Sequence, residues 1–281
     1  MEPIKTFKNQ MQKIAEDSVI FINPKKTLLL VVDVVNDGNS DRGFFKKILK
    51  FDISMFQNIE NNLVKLISAC KKANIPVVCT SAIYDFEYIP NAMRKRFEAI
   101  GIKGGLAQKG AWGSQIIDKL LKQKLDFILI KSHYSSFSRL HSFMFKPQKN
   151  LELEKYLKLP AKEDTKIKSK GGKIMQDYFK DADTLVVKDI DNHLDKGGVV
   201  TLDVFLKMKG INTIIITGGS THVCEDAAVC AASERGYHLI EPIDAVASED
   251  FDKHFMYVHN HGIFKSQLTT TKKILEKLSS N

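Results

Sequence analysis

What most constrains this chain is a set of short runs, residues 27–32, 77–81, 125–130, 211–217 and 237–243, that are apolar or β-branched along nearly their whole length. A strand with one face in water alternates polar and apolar residues, whereas a strand without alternation is covered on both faces. Between the runs lie segments with helical spacing, the clearest being residues 56–73, which put Ile59, Leu63, Leu66, Ile67 and Cys70 on one side. Residues 111 to about 122, 201–209, 251–259 and the stretch from about 270 supply further helices, with 182–188 a further strand, 263–268 a short edge strand and 82–112 reading as loop. This alternation predicts an α/β fold: a doubly wound, open parallel sheet of about six strands in three α/β/α layers, with right-handed crossovers.

In such a sheet ligands bind beyond the carboxyl ends of the strands. The first run ends at Asp33 and the third at Lys131. The run 211–217 passes through Gly218-Gly219-Ser220-Thr221, with Thr221 as predicted N-cap, into a helix that carries Cys224 in its first turn. A thiol there faces free N–H groups and the positive end of the helix dipole, which favour thiolate, and the same N–H groups could hold an oxyanion. That is the equipment of covalent acyl transfer. A small buried apolar role is the competing account of a cysteine in an alanine-rich helix. Residues 33–40 contain one glycine, so no dinucleotide fingerprint follows the first strand and no cofactor is expected.

Thr217-Gly218-Gly219-Ser220-Thr221-His222-Val223-Cys224, continued by Ala228, Ala232, Gly236-Tyr237 and Asp244 to Ser248, resembles the signature of the isochorismatase-like cysteine hydrolases. That family includes nicotinamidases, N-carbamoylsarcosine amidases and ureidoacrylate amidohydrolases. Residues 33–37 look like its first motif, and residues 110–114 with 126–137 are similar to the segment leading into its lysine. The resemblance implies Asp33, Lys131 and Cys224 as the catalytic set and a cis peptide at Gly219-Ser220 beside the oxyanion site. It offers Trp112, His133, Tyr134, Phe137 and His222 as substrate contacts. It also implies a small amide, ureide or carbamoyl substrate opened through a thioester, and a homo-oligomer. Two departures stand out: Val35 and Gly38 occupy positions where the family commonly has glutamine and phenylalanine. The zinc-binding nicotinamidases carry an Asp and two His after the second strand; residues 81–87 here contain no histidine, so no metal is expected.

The resemblance covers roughly residues 25–137 and 199–270. Residues 1–24, with Ile4, Phe7, Met11 and Ile14 at helical spacing, form an expected amphipathic arm before a single domain over 25–281. Within that domain, 138–198 is an expected insertion holding 13 Lys+Arg and 10 Asp+Glu, with its lysine run at 166–173 exposed at the pocket edge and favouring anionic substrates. Residues 182–188 echo 126–131, which makes Lys188 a rival to Lys131; Lys131 is preferred because the sequence matches on both sides of it. The 42 Lys+Arg against 33 Asp+Glu give a net charge of +9, but the lysines are spread along the chain, which argues against a nucleic-acid partner. No apolar run approaches about 20 residues and the N-terminus lacks the apolar core of a signal peptide. Four cysteines in neither disulfide nor metal spacing suit a reducing compartment, so a cytoplasmic protein without membrane contact is expected. The alternative from another class is a family member altered at its site that acts as a binding or effector protein through the insertion.

Overall fold

The computed structural model describes residues 2–103, 105–138, 142–150 and 187–280. The apolar runs become β1 (Thr27–Val32), β2 (Val77–Ala82), β5 (Phe127–Lys131), β7 (Thr213–Gly219) and β8 (His238–Pro242). Two short strands, β3 (Tyr84–Asp85) and β4 (Gly105–Leu106), pair as a separate antiparallel two-stranded sheet. The main sheet runs β10-β8-β7-β1-β2-β5-β6, where β6 is Ser142–Phe145 and β10 is Gln267–Thr269, with β9 (Val246–Ala247) beside the end of β7. All pairings in it are parallel except β6 on β5. Among the described residues the sheet therefore has eight strands, and β6 and β9 are the two that apolar runs did not announce.

The strands lack alternation because each parity has its own helical cover. Leu29, Val31, Cys79, Ile128, Ile130 and Ile215 pack with Phe56, Leu63, Leu66 and Ile67. The intervening residues Leu28, Leu30, Val78, Leu129, Ile214 and Ile216 pack with Phe205, Leu206, Ala228, Val229 and Ala232. A fully buried Leu or Ile contributes roughly 1.5–3 kcal/mol, so these two cores dominate stability. The helices in chain order are α1 (Glu2–Asp17), α2 (Asn36–Asn39), α3 (Phe44–Lys47), α4 (Ser54–Lys72), α5 (Asn91–Ala99), α6 (Asp118–Leu121), α7 (Ile190–Asp195), α8 (Leu202–Met208), α9 (Cys224–Ser233), α10 (Phe251–Phe264) and α11 (Thr271–Ser279). Thus α4 lies on one face, and α8 and α9 on the other.

Four local expectations are corrected. Residues 82–112 are not loop throughout: they hold the β3–β4 pair and α5, whose Met93 and Phe97, one turn apart, are buried. The helix expected from 111 to about 122 is broken into a 3₁₀ turn, Trp112–Ser114, and α6. Between them the chain is extended, and its backbone bonds that of the first motif: Asn36 N–H donates to Gln115 O at 2.9 Å and Ile117 N–H to Val34 O at 3.2 Å. In the arm, Met11 and Ala15 pack with Val258 of α10 and Leu268 of β10, while Ile14 points outward at 39% exposure. The side chains of Ile4 and Phe7 lie outside the described residues. The start of the expected insertion is β6, fully buried on β5 and bridged by Met144 to Val200, because Phe143 and Phe145 join the first core and Met144 the second. The lysine run 166–173 and residues 182–186 of the strand expected at 182–188 lie outside the described residues. Among the described residues no helix is long and apolar enough to cross a membrane.

Candidate active site

Three strand ends meet at the carboxyl edge of the sheet. β1 and β7 are paired along their length, and Gly218, with φ of +102°, lies so close to β1 that a Cβ would be 2.2 Å from Val32 O. Only glycine fits that approach, and it sets the turn after β7 against Asp33. Asp33 itself has φ of +48°, a left-handed conformation that ends the strand. Its N–H donates to Thr80 Oγ at 2.9 Å, and the Thr80 hydroxyl donates back to Oδ1, so β2 fixes the carboxylate. The other oxygen, Oδ2, accepts from Lys131 Nζ at 2.7 Å.

Lys131 is fully buried, and its remaining donors go to the carbonyls of His133 (3.0 Å) and Tyr134 (2.8 Å). Burial alone would lower its pKa, but the Asp33 carboxylate, with Cys224 as a smaller contributor, prevails and holds it above the usual lysine value. Lys188, the rival, is exposed one residue before the N-cap of α7.

Cys224 is the first residue of α9, and Val223, not Thr221, is its N-cap. The Gly219-Ser220 peptide is cis. Val223 and Glu225 N–H groups both donate to Ser220 O, at 3.0 and 3.1 Å, which folds the turn tightly under the helix start. The thiol does not sit as the helix dipole predicts. Burial pushes its pKa up to about 12, the nearby Lys131 charge opposing and Asp33 adding to the rise. Desolvation outweighs the dipole because Cys224 is buried, at 7% exposure, so the resting group is a thiol. Its Sγ lies 3.0 Å from Tyr84 Oη. Tyr84 was not singled out from the sequence; it follows β2 in the two-residue strand β3, which no pattern foretold.

A cavity of about 260 Å³ opens onto Asp33, Cys224, Gly219 and Ser220. Its walls are Phe45, Phe51 and Phe56 on one side and Phe97, Ile102 and Leu106 on the other, with Tyr84 and Tyr134 at the floor. The ring of Phe45 lies 3.9 Å from where a Cβ on Gly38 would stand, so an aromatic from α3 fills the space beside this glycine. Val35 also lines the cavity, as an apolar group. A shallower groove of about 1050 Å³ lies at the opposite, amino edge of the sheet, lined by Thr213, His238 and Phe264, far from Cys224.

Of the expected substrate contacts, Tyr134 lines the cavity, and the side chains of Trp112, His133, Phe137 and His222 do not. Trp112 stacks beneath the Arg42 guanidinium (4.8 Å), and Phe137 packs against Tyr237 and Arg235. His222 instead supports the turn: Nδ1 meets Ser248 Oγ at 2.8 Å and Nε2 lies 3.4 Å from Glu249 Oε1. Glu249, which accepts from the Ser220 hydroxyl at 2.6 Å and lines the cavity, is a second residue that the sequence did not reveal. Among the described residues no group of three or more His, Cys, Asp and Glu side chains is placed to hold a metal ion.

Behind α9 is a buried ionic cluster. His261 Nδ1 faces Glu241 (3.2 Å) and Nε2 faces Asp226 (3.2 Å). Ser266 donates to Glu241 at 2.7 Å, and Lys265 lies 3.7 Å from Asp226. Burial would lower the imidazole pKa, yet the Glu241 charge and the carboxylate hydrogen bonds raise it to about 10. Glu225, the neighbour of Cys224, is driven well above the carboxylate range by burial, then by Glu241. Because the folded pKa of His261 exceeds its unfolded value of about 6.5, its contribution is complete below that pH and is lost as pH rises towards 10. We expect His261→Gln to lower stability by about 3 kcal/mol at pH 6 and by much less at pH 10. Chemical denaturation at the two pH values measures it; an equal loss at both would show that His261 is not charged in the fold.

The Isochorismatase domain family model matches residues 27–158 and 152–271. The ureidoacrylate amidohydrolase RutB of Acinetobacter baylyi is 28% identical over 135 residues, covering 44% of this chain and 55% of that protein. The chain thus spans about half the length of the curated relatives it matches. Among solved structures, a cysteine hydrolase from Pseudomonas syringae superposes with a TM-score of 0.63 at 18% identity, covering 95% of this chain and 99% of that one. An N-carbamoylsarcosine amidase from Thermoplasma acidophilum gives a TM-score of 0.50 at 18% identity over 88% of this chain and 96% of its own. At such identities these two likenesses speak to the fold.

Proposed function

Since this chain belongs to the isochorismatase family, we propose that it is a cysteine-dependent amidohydrolase that cleaves a C–N bond in a small amide, ureide or carbamoyl compound. The observation that supports this most is that Asp33 and Cys224 line one cavity while Lys131, outside that lining, is bonded to Asp33 at 2.7 Å. Ureidoacrylate, named for the curated relatives, is a ureide of this broad type that also bears a carboxylate. The comparisons lend no support to the binding or effector alternative.

In this mechanism Asp33 removes the Cys224 proton as the sulfur attacks the carbonyl carbon. A thiol raised to about 12 is not ionised in advance, so proton transfer and attack are coupled. Lys131 stabilises the negative charge shared by carboxylate and sulfur, and the Tyr84 hydroxyl, 3.0 Å from Sγ, can donate to the thiolate as it forms. The N–H groups of Cys224 and Ser220 receive the oxyanion. Collapse of the tetrahedral intermediate breaks the C–N bond, and Asp33 returns the proton to the departing amine. Water, deprotonated by Asp33, then hydrolyses the thioester, releasing the acid and restoring the thiol. The test is ammonia release from a panel of small amides and carbamoyl compounds, with intact-protein mass spectrometry of acid-quenched turnover mixtures. A mass increase equal to the acyl group, confined to Cys224, is expected; hydrolysis with acylation at another residue would exclude the scheme.

A further inference from the structure

The walls of the cavity say more about the substrate than its floor does. Three carboxyl side chains line it: Asp33, Asp37 and Glu249. Each is already engaged. Asp33 is held by Lys131 and Thr80, Asp37 accepts from the N–H groups of Phe44 (3.1 Å) and Ala107 (3.2 Å), and Glu249 takes the Ser220 hydroxyl. No Lys, Arg or His side chain lines the cavity among the described residues. Lys131 lies beneath the floor with its three donors spent on Asp33 and two carbonyls. Apart from Ser220, Cys224, Tyr84 and Tyr134, the rest of the lining is aromatic and aliphatic, and Val35 and Gly38 add no polar group.

An anionic group entering this space would give up its hydration to phenylalanine and isoleucine, with the Asp37 and Glu249 carboxyls and the Asp33–Lys131 pair as the ionisable groups beside it. An apolar group would gain by the same exchange. Resting on the amidohydrolase reading of the site, we propose that the substrate is an uncharged amide or carbamoyl compound whose acyl side chain is alkyl or aryl, and that carboxylate-bearing amides and ureides are discriminated against. The wall that selects it is Phe45, Phe51, Phe56, Phe97 and Ile102, with Ile100, 67% exposed, at the rim.

Hexanamide and its terminal-carboxylate analogue adipamate differ in the group at issue and little else, so they form the test pair. Wild-type kcat/KM for ammonia release from each is measured, and calorimetric binding of each is measured on Cys224→Ala, with Cys224→Ser in reserve should the alanine variant not fold. Hexanamide is expected to be preferred about tenfold or more in both assays, phenylacetamide to behave like hexanamide, and Ile100→Arg to narrow or reverse the preference. Equal or tighter binding of adipamate, or binding of neither compound, overturns the inference whatever turnover shows. Selective binding of hexanamide without hydrolysis by the wild type instead overturns the amidohydrolase reading and leaves the pocket assignment standing.

Discussion

Cys224→Ala is expected to lower kcat for amide hydrolysis by about 10⁴-fold or more while leaving the protein folded, with a stability change of about 1 kcal/mol. The two halves of that result have separate causes. Alanine supplies no nucleophile, so no acyl-enzyme forms and both bond-breaking steps lose their route. The structural loss is one sulfur atom and its contact with Tyr84, in a helix whose packing rests on Ala228, Val229 and Ala232. Steady-state kinetics and thermal unfolding of the same preparation measure both. Turnover near that of the wild type would remove the cysteine from the mechanism. The thiol pKa of about 12 adds a kinetic signature: iodoacetamide should alkylate the free enzyme slowly at neutral pH and faster as pH rises. A rate that is high and flat from pH 6 upward would mean that the thiolate exists at rest.

The second large effect is expected at Lys131. Lys131→Met keeps most of the side-chain volume but deletes the ammonium, leaving the Asp33 carboxylate without its 2.7 Å partner at a site where Asp33 is 9% exposed. Breaking a buried pair from one side costs about 3–5 kcal/mol, which in a domain of this size lowers the melting temperature by roughly 10 °C. Activity should fall with it, by about 10²-fold or more, because the charge that shares the proton-transfer site is gone. Lys188→Ala, on an exposed side chain, should change neither quantity measurably. A larger loss at Lys188 than at Lys131 would reassign the functional lysine.

The sequence announced these positions unevenly, for physical reasons. Asp33, Lys131 and the turn before Cys224 were legible because each ends an apolar run, and a parallel sheet gathers such ends on one edge. The two-sided core was legible in the same runs. The charge state of Cys224 was not: position on a helix is local, whereas desolvation depends on everything packed around it, including Tyr84 and Lys131 from other elements. The pocket walls were hidden for a related reason. Phe45, Phe97 and Ile102 sit in short helices and irregular segments with little period, and only the fold brings them together. His222 is a different case: its place inside a matched motif suggested a substrate contact, and its ring is bonded to Ser248 at 2.8 Å, outside the cavity lining. β6 was overlooked because a buried four-residue strand opening a charged stretch gives almost no pattern of its own.

That strand bears on how the protein behaves in a crowded solution. An open sheet ends in rows of unsatisfied peptide groups, which recruit strands from other chains and so seed fibres and amorphous precipitate. Among the described residues one margin is β6, which runs antiparallel to β5 and whose Met144 exchanges both peptide hydrogen bonds with Val200, at 2.7 and 3.0 Å. The other is β10, three residues long and followed after Thr270 by α11. Among the described residues neither margin offers a long, flat template, so recruitment of foreign strands there is opposed by geometry, without reliance on surface charge. Conditions that screen charge, such as high salt, should leave that protection intact, whereas Met144→Pro would remove it by deleting a peptide donor from the capped strand.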